Sequence, residues 1–505
     1  MKKKIIFKNA TIVTMDASFH IYRNYNIIVS NGIIAEIVPS VNKQEDCEIV
    51  DCCHKLITPG FINAHLHSCE TSFRGLYDNL PLEQWMYYAY PPFKGLKVLS
   101  RRYAYLRTMC GAIEQLHSGV TCCQDDVAGF PGNTMEEHDQ IFQAYSDLGI
   151  KANVSFSFMD KHNLDTVPYI RSLIPASLKE KIAEPVSTDF AISKNEELIS
   201  AWNGKNNMKV LISNSAPQRC TDAFSQKLFA QAERHDLPYH THICETRTQR
   251  ITGFEFYGKP IMQHAADIGI LSPRTTVAHC NWLDDKDIET AASKGANIVH
   301  NIVSNLKLSS GIMPYRKLLR AGVNVTLGTD GTSTNDSQNI MEVMKTAALI
   351  HKVTQPDYTQ GPSSREILSL STTNAAKSVM RQNEIGSIEV GKQADFVIFD
   401  LNSPSFTPLN HIENQLIYCQ SSSAISDVYV NGRAVMKNRK ITTVDENALL
   451  HEFQSMTSEF LDMYQKDIAP LADEMKFYID QAYWQCIKNP DSLWRFSASK
   501  KEYGI

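Results

Sequence analysis

The sequence predicts an α/β protein: a (β/α)8 TIM barrel carrying a small composite β-sandwich built from both chain ends, followed by a C-terminal helical tail. Three observations predict this. Eight short apolar runs alternate with amphipathic stretches through the middle of the chain. Histidines and carboxylates gather at the C-terminal ends of those runs, where barrels keep their reactive groups. Two matching two-residue hairpin turns, Asn31-Gly32 and Asn431-Gly432, stand near opposite ends of the chain.

Taken in order, residues 8–16 and 25–37 read as strands, the second folded at Asn31-Gly32. The run 56–62 is apolar apart from Thr58 and the Pro59-Gly60 pair, and reads as the first buried barrel strand. Seven more runs follow at 119–125, 151–159, 209–216, 237–244, 275–280, 296–303 and 324–329. Amphipathic stretches such as 102–116, 223–235, 284–293 and 313–320 lie between them. No glycine-rich phosphate fingerprint follows any run, which disfavours a Rossmann sheet. Residues 386–400 and 425–437 read as strands again. Segments this short do not make two independent cores, so both chain ends are expected in one sandwich. From residue 445 the stretch ENALLHEFQSMTSEFLDMYQK is an amphipathic helix. The remaining tail carries Tyr478, Tyr483, Trp484, Trp494 and Phe496, and is expected to dock on the body or on a neighbouring subunit. The expected units are 1–58 (sandwich, first part), 59–384 (barrel), 385–444 (sandwich, second part) and 445–505 (helical extension).

Bulk properties exclude several classes. The 505-residue chain is 43% hydrophobic and 21% charged, with a net charge of -5 and scattered Lys and Arg, so neither a nucleic-acid partner nor a membrane is expected. The basic start MKKK is followed by only three apolar residues before Lys8, too few for a secretory leader, and no apolar run of membrane-spanning length occurs. Twelve cysteines, including the adjacent pairs Cys52-Cys53 and Cys122-Cys123, do not form a disulfide framework and fit a reduced, cytoplasmic protein.

The chemistry starts at His65-Leu66-His67. On a strand, residues i and i+2 share a face, so both imidazoles aim at one point, as a divalent-metal grip requires. The fifth run contributes His240, His242 and, just beyond, Glu245. The sixth ends at His279, and the eighth leads into Gly328-Thr329-Asp330-Gly331. Four barrel rims thus supply imidazoles and carboxylates at the end where a barrel keeps its site. His240 shares a face with His242 and reads as a packed barrel residue.

The segments PGFINAHLH, HTHICET, VAHC, HNIVSNLKLSSGIMPYRKLL and LGTDG resemble the amidohydrolase superfamily. The branch they are most similar to holds S-adenosylhomocysteine and methylthioadenosine deaminases, guanine and cytosine deaminases, and triazine hydrolases. The resemblance covers residues 1 to about 440. It implies a barrel with a composite sandwich and one divalent ion, Zn2+ or Fe2+, held by His65, His67, His242 and Asp330, with Glu245, His279 and Asp330 as the catalytic groups. Two-metal members use a carboxylated lysine at the end of strand four; here that strand ends Ile212-Ser213-Asn214-Ser215, and Lys209 lies at its other end. Barrels of this branch form homodimers or tetramers, which is the expectation here.

The expected reaction is hydrolytic deamination of an aminated nitrogen heterocycle. A divalent ion lowers the pKa of bound water to about 7 in favourable cases. Asp330 accepts the water proton, His279 orients the water or stabilises developing charge, and Glu245 protonates a ring nitrogen as the C=N carbon is attacked. Four residues are candidate substrate contacts, each with a plain alternative. Trp85 either stacks on the ring or packs in the core. Gln218 and Arg219 either bind an acidic or carbonyl group or make a surface-loop salt bridge. His300 either touches substrate or hydrogen-bonds a loop.

Three departures widen the substrate reading. The stretch Tyr90-Pro91-Pro92-Phe93 lacks the acid that grips ribose hydroxyls in the adenosine-type deaminases. Ser215-Ala216-Pro217-Gln218 stands where they have His-Ala-Pro-Tyr, and Ile302 rather than proline follows Asn301. Free bases, pterins and triazines therefore stand beside nucleosides as substrates. Hydrolysis of a C–Cl, C–alkylamine or cyclic amide bond is the alternative chemistry, and a non-catalytic assembly subunit the alternative role.

Overall fold

The computed structural model describes residues 4–41, 47–95, 100–128, 135–354, 357–419 and 422–493. Its central sheet is parallel and carries the eight barrel strands in chain order: Phe61–His67, Val120–Asp125, Lys151–Ser155, Met208–Ser213, Tyr239–Ile243, Thr275–His279, Asn297–His300 and Asn324–Leu327. Almost every strand residue is buried, because helices cover the outside and side chains fill the inside; this is why the runs read as apolar without alternation. Closure comes from a ninth short piece. After Gly328-Thr329 the chain pairs again at Asp330–Gly331, setting Asp330 opposite Leu66 and Gly331 opposite His67. The residue that closes the barrel is thereby placed between the two histidines of the first strand.

The run 56–62 is not one strand. Lys55–Pro59 pairs antiparallel with Phe396–Asp400 in the terminal sheet, and Phe61–His67 pairs with Val120–Asp125 in the barrel. Gly60 is the hand-over: a Cβ there would lie 2.1 Å from Thr121 Oγ1, so only glycine lets the chain pass this close to the second barrel strand. The seventh run is also shorter than its apolar stretch. Its strand stops at His300 and a helix, Ile302–Lys307, begins at once.

Both chain ends do build one terminal unit. Its strands, however, hydrogen-bond into a single nine-stranded sheet rather than two separate layers, with Phe396–Asp400 joining the N-terminal and C-terminal contributions. Asn31-Gly32 and Asn431-Gly432 both turn through the left-handed region, as their hairpins require. Phe7 centres the sheet's own core, edge-on to Phe396 and Tyr429 at 5.4 and 4.9 Å. A buried ion pair docks the sheet on the barrel: Lys151 Nζ reaches both Asp395 carboxylate oxygens at 2.7 Å and Asn431 Oδ1 at 2.8 Å.

The C-terminal extension forms two helices, Glu446–Asp467 and Ala469–Lys488, both packed on the body. Trp494 and Phe496 lie outside the described residues. No helix among the described residues is long and apolar enough to cross a membrane.

Candidate metal centre and active site

His65 and His67 converge as their spacing predicts, with ring centroids 4.6 Å apart. The Nε2 atoms of both lie 3.4 Å from Asp330 Oδ1. His242 joins from the fifth strand, its ring 4.9 Å from His65 and 5.4 Å from His67. Hydrogen bonds orient two of these rings. His67 Nδ1 lies 2.6 Å from the Asp126 carbonyl, and His242 Nδ1 lies 2.7 Å from the Ser215 carbonyl. A carbonyl only accepts, so each Nδ1 carries a hydrogen and each Nε2 is turned toward the cluster.

His65 is the telling case. It is fully buried, and neither ring nitrogen makes a hydrogen bond to the protein. Burial holds its pKa down at about 4, with the nearby Asp330 only partly opposing, so the ring is neutral at physiological pH. A buried imidazole left with two unsatisfied nitrogens is costly unless something else fills its lone pair. Burial would raise the Asp330 carboxyl, but His65, His279 and His67 outweigh it and hold the group ionised far below the usual carboxylate range. Burial would lower the His67 pKa, but Glu70, Asp330 and Asp126 outweigh it and raise it to about 9, so this ring is protonated until a bound cation displaces the proton. Two neutral imidazoles, a third that gives up its proton on binding, and an anionic carboxylate form a donor set that suits zinc or ferrous iron. The residues present fit one such ion.

His240 is more involved than a packed residue need be. Its ring stacks on His65 at 4.7 Å, and its ligand atom lies within 4.8 Å of those of His65 and His242. Its Nδ1 meets Thr276 Oγ1 at 2.7 Å while Nε2 has no hydrogen-bond partner.

His279 and Glu245 sit beside this cluster. His279 Nδ1 lies 2.9 Å from Asn305 Oδ1, whose own amide donates to Asn281. The imidazole therefore donates there and turns Nε2 toward Glu245 Oε2 at 3.5 Å and Asp330 Oδ2 at 3.9 Å. Glu245 accepts from Ser310 Oγ at 3.0 Å. Burial pushes its pKa up to about 7, with His279 opposing and Asp330 adding, which makes it a proton donor near neutrality. Backbone strain marks these strand ends: Ser215, Cys244, His279 and Asp330 all have φ between 52° and 73°, although none is glycine.

A cavity of about 280 Å³ opens onto the cluster, lined by His67, His242, Glu245, His279 and Asp330. Trp85, Gln218 and Arg219 also line it. Trp85 is buried on the helix Leu82–Ala89, and its indole N–H donates to Ser333 Oγ at 3.2 Å. Arg219 is not in a surface-loop salt bridge: its guanidinium bonds Ser215 Oγ and faces Met86 Sδ, and burial lowers its pKa. His300 is the exception. It is not among the described residues lining the cavity, and its Nε2 meets His351 Nε2 at 2.9 Å instead. Successive strand residues point opposite ways, and Asn301 is the neighbour that reaches toward His279, Nδ2 to Nδ1 at 3.5 Å.

Sequence reasoning missed two acids. Glu83, two residues before Trp85, lines the cavity; Oε1 accepts from Thr246 while the buried Oε2 has no hydrogen-bond partner. Glu70, three residues after His67, is buried against Gly331 and accepts from Tyr90 and Ser333. No sequence signal marked either acid: Glu70 lies in the polar run Ser68-Cys69-Glu70-Thr71-Ser72, and Glu83 is followed by Gln84.

Comparison with known proteins agrees with this geometry. A family model described as amidohydrolase family matches residues 56–435. A 5'-deoxyadenosine deaminase of Methanosarcina barkeri is 31% identical over 459 residues, 90% of this chain and 98% of that protein. A 5-methylthioadenosine/S-adenosylhomocysteine deaminase of Caldanaerobacter subterraneus is 31% identical over 463 residues, again 90% and 98%. Among solved structures, an adenosine deaminase from Xanthomonas campestris with bound zinc is 26% identical, with a TM-score of 0.80 over 92% of this chain and 99% of that one.

Proposed function

The chain belongs to the amidohydrolase family, and from that premise we propose that it is a mononuclear metal-dependent aminohydrolase acting on an adenine-type heterocycle. The observation that carries this is the meeting of a fully buried, unsatisfied His65 with a protonatable Glu245 at one cavity. His65, His67, His242 and Asp330 are the residues that would hold the ion. Zinc is the ion proposed, as in the Xanthomonas campestris structure. When bound, the ion supplies Lewis acidity that lets water act as a nucleophile near neutral pH.

The chain's own groups do the rest. Asp330, ionised and aimed at both first-strand histidines, takes the proton released by water. His279, held by Asn305, presents Nε2 to the same space and stabilises charge as it develops. Glu245 delivers its proton to a ring nitrogen as the attacked carbon becomes tetrahedral. Asp330 then passes the water's proton to the amino group, which leaves as ammonia, and Glu245 recovers a proton from the new hydroxyl as the carbonyl forms. Trp85 covers the ring, Gln218 and Arg219 receive acceptor groups of the substrate, and Glu83 receives donor groups. A nucleoside-like substrate bearing both kinds of group fits this wall better than a bare base. Twelve cysteines, eight of them buried as small apolar side chains, support a reducing compartment and hence the cytoplasm. A homo-oligomer, dimer or tetramer, completes the reading.

The test is ammonia release by the zinc-loaded chain from 5'-deoxyadenosine, methylthioadenosine, adenosine, adenine, guanine, a pterin and an aminotriazine. Release from the adenine nucleosides is expected. Release from none of the panel would overturn the assignment.

A further inference from the structure

The two C-terminal helices lie beyond residue 435, where the match to the family model ends, and the chemistry above uses none of their residues. They nevertheless pack against segments that line the cavity. The first, Glu446–Asp467, is fastened to barrel helix Arg101–His117: Arg102 grips Glu452 through two nitrogens, and His117 meets Glu446 at 2.9 Å. The second, Ala469–Lys488, then crosses to the outer side of helix Leu82–Ala89. Its buried residues Ala472, Met475, Ile479, Ala482 and Cys486 recur every three or four positions, a single apolar stripe.

That stripe meets Tyr87, Phe93, Leu164, Ile170 and Ile182 in a cluster separate from the barrel core. These partners come from two segments that supply the cavity wall. One is the helix Leu82–Ala89 with Glu83 and Trp85; the other follows the third barrel strand and carries Asn163 and Thr166. Tyr87 ties the two together by donating to Asn163 Oδ1 at 2.8 Å. Polar contacts repeat the pattern. Tyr88 donates to Asp473 at 2.6 Å, Gln84 donates to Asp480, and the Tyr464 hydroxyl donates to the Tyr88 carbonyl at 3.0 Å.

A helix of eight residues is too short to hold its shape unaided, since isolated helices below about 12–15 residues are marginal in water. Leu82–Ala89 is pinned on its inner side through Trp85 to Ser333, and just past its end through Tyr90 to Glu70. Its outer side is covered by Ala469–Lys488. We propose that the C-terminal helix pair is a strap that holds the cavity wall in its substrate-binding form, with Ile479, Asp473 and Asp480 as positioning residues. Loosening it lowers the fraction of molecules competent to bind, and apparent affinity falls by that fraction while the metal-side chemistry is untouched. The proposal leans on the deaminase assignment only for the substrate used to measure KM.

The test uses the full-length, zinc-loaded chain as wild type, Ile479→Asp, the conservative Ile479→Val, and the double variant Asp473→Asn with Asp480→Asn. Hydrogen exchange is followed in residues 82–93 and 163–173, and KM and kcat are measured with 5'-deoxyadenosine. In Ile479→Asp, exchange in both segments should quicken about tenfold while the barrel strands stay protected. KM should rise about five- to tenfold with kcat within about twofold, and Ile479→Val should behave as wild type. Should Ile479→Asp not fold, the double Asn variant gives the same readouts with smaller shifts in the same direction. Unchanged exchange in the two segments, or loosened segments with an unchanged KM, overturns the strap. If wild type releases no ammonia from any adenine nucleoside, the deaminase assignment fails while the exchange result still decides the strap.

Discussion

Tyr90 donates its hydroxyl to Glu70 at 2.6 Å, joining the segment over the cavity to the loop that follows the metal-side His67. The other oxygen of Glu70 accepts from Ser333 Oγ, also at 2.6 Å, and Ser333 in turn accepts from Trp85. One carboxylate therefore couples the cavity roof to the loop that carries Asp330.

Glu70 accepts from the Tyr90 hydroxyl on one oxygen and from the Ser333 hydroxyl and backbone N–H on the other. An amide has one oxygen only, so either the Tyr90 hydroxyl must turn to accept or the Ser333 N–H faces an NH2. Glu70→Gln should lose about 1–3 kcal/mol of local hold. Carried into the transition state, that is about a five- to 150-fold fall in kcat/KM, at about 1.4 kcal/mol per tenfold, with bound zinc unchanged. A double-mutant cycle with Tyr90→Phe checks it: the two losses should be less than additive, and strict additivity would show that the bond does not couple the roof to the site.

Glu245→Gln keeps the shape and the Ser310 contact but removes the proton. Turnover should fall by about a hundred- to ten-thousandfold, the range typical of general acid catalysis, while zinc content stays at the wild-type level. Steady-state kinetics with metal analysis on the same sample decides it; wild-type turnover would strip Glu245 of its role.

Burial, opposed by His279, sets the Glu245 pKa at about 7 in the metal-free chain, and a bound cation nearby draws that value down. In the proposed role Glu245 works in its protonated form. kcat/KM should therefore decline by about tenfold per unit as pH rises above its pKa, along a limb that begins at or below pH 7. The same limb should be missing from the residual activity of Glu245→Gln. A limb that persists in that variant belongs to another group.

Most of the barrel was legible because its strands are buried on both faces and read as plain apolar runs, and because HxH on a strand admits one geometry. The hand-over at Gly60 was not legible: an apolar run carries no mark of which sheet each half joins, and only the clash a Cβ would make with Thr121 fixes it. His300 misled for a related reason. Position at a strand end is visible in sequence, but which of two adjacent residues faces the site depends on strand parity, and His300 turns to His351. Glu70 and Glu83 follow no motif, and become visible as site residues only once the loops after strands one and eight are brought together. The tail's amphipathic pattern showed a helix without showing which surface it covers.

The Lys151–Asp395 pair makes the docking of the terminal sheet on the barrel testable apart from the site. Lys151→Met leaves the Asp395 carboxylate buried without its cation, a change that costs about 3–5 kcal/mol. The urea midpoint should fall by that free energy divided by the m-value, while turnover per folded, metal-loaded chain is retained. An unshifted midpoint would mean that the pair contributes nothing to the joint.

Convergence of His65, His67, His242 and Asp330 on one divalent ion is tested most directly by metal content after zinc loading and desalting. One zinc per chain is expected for the wild type, and far less than one for His67→Ala and His242→Ala with the fold retained by circular dichroism. A wild-type chain that stays empty, or variants that bind as much zinc as the wild type, would contradict it.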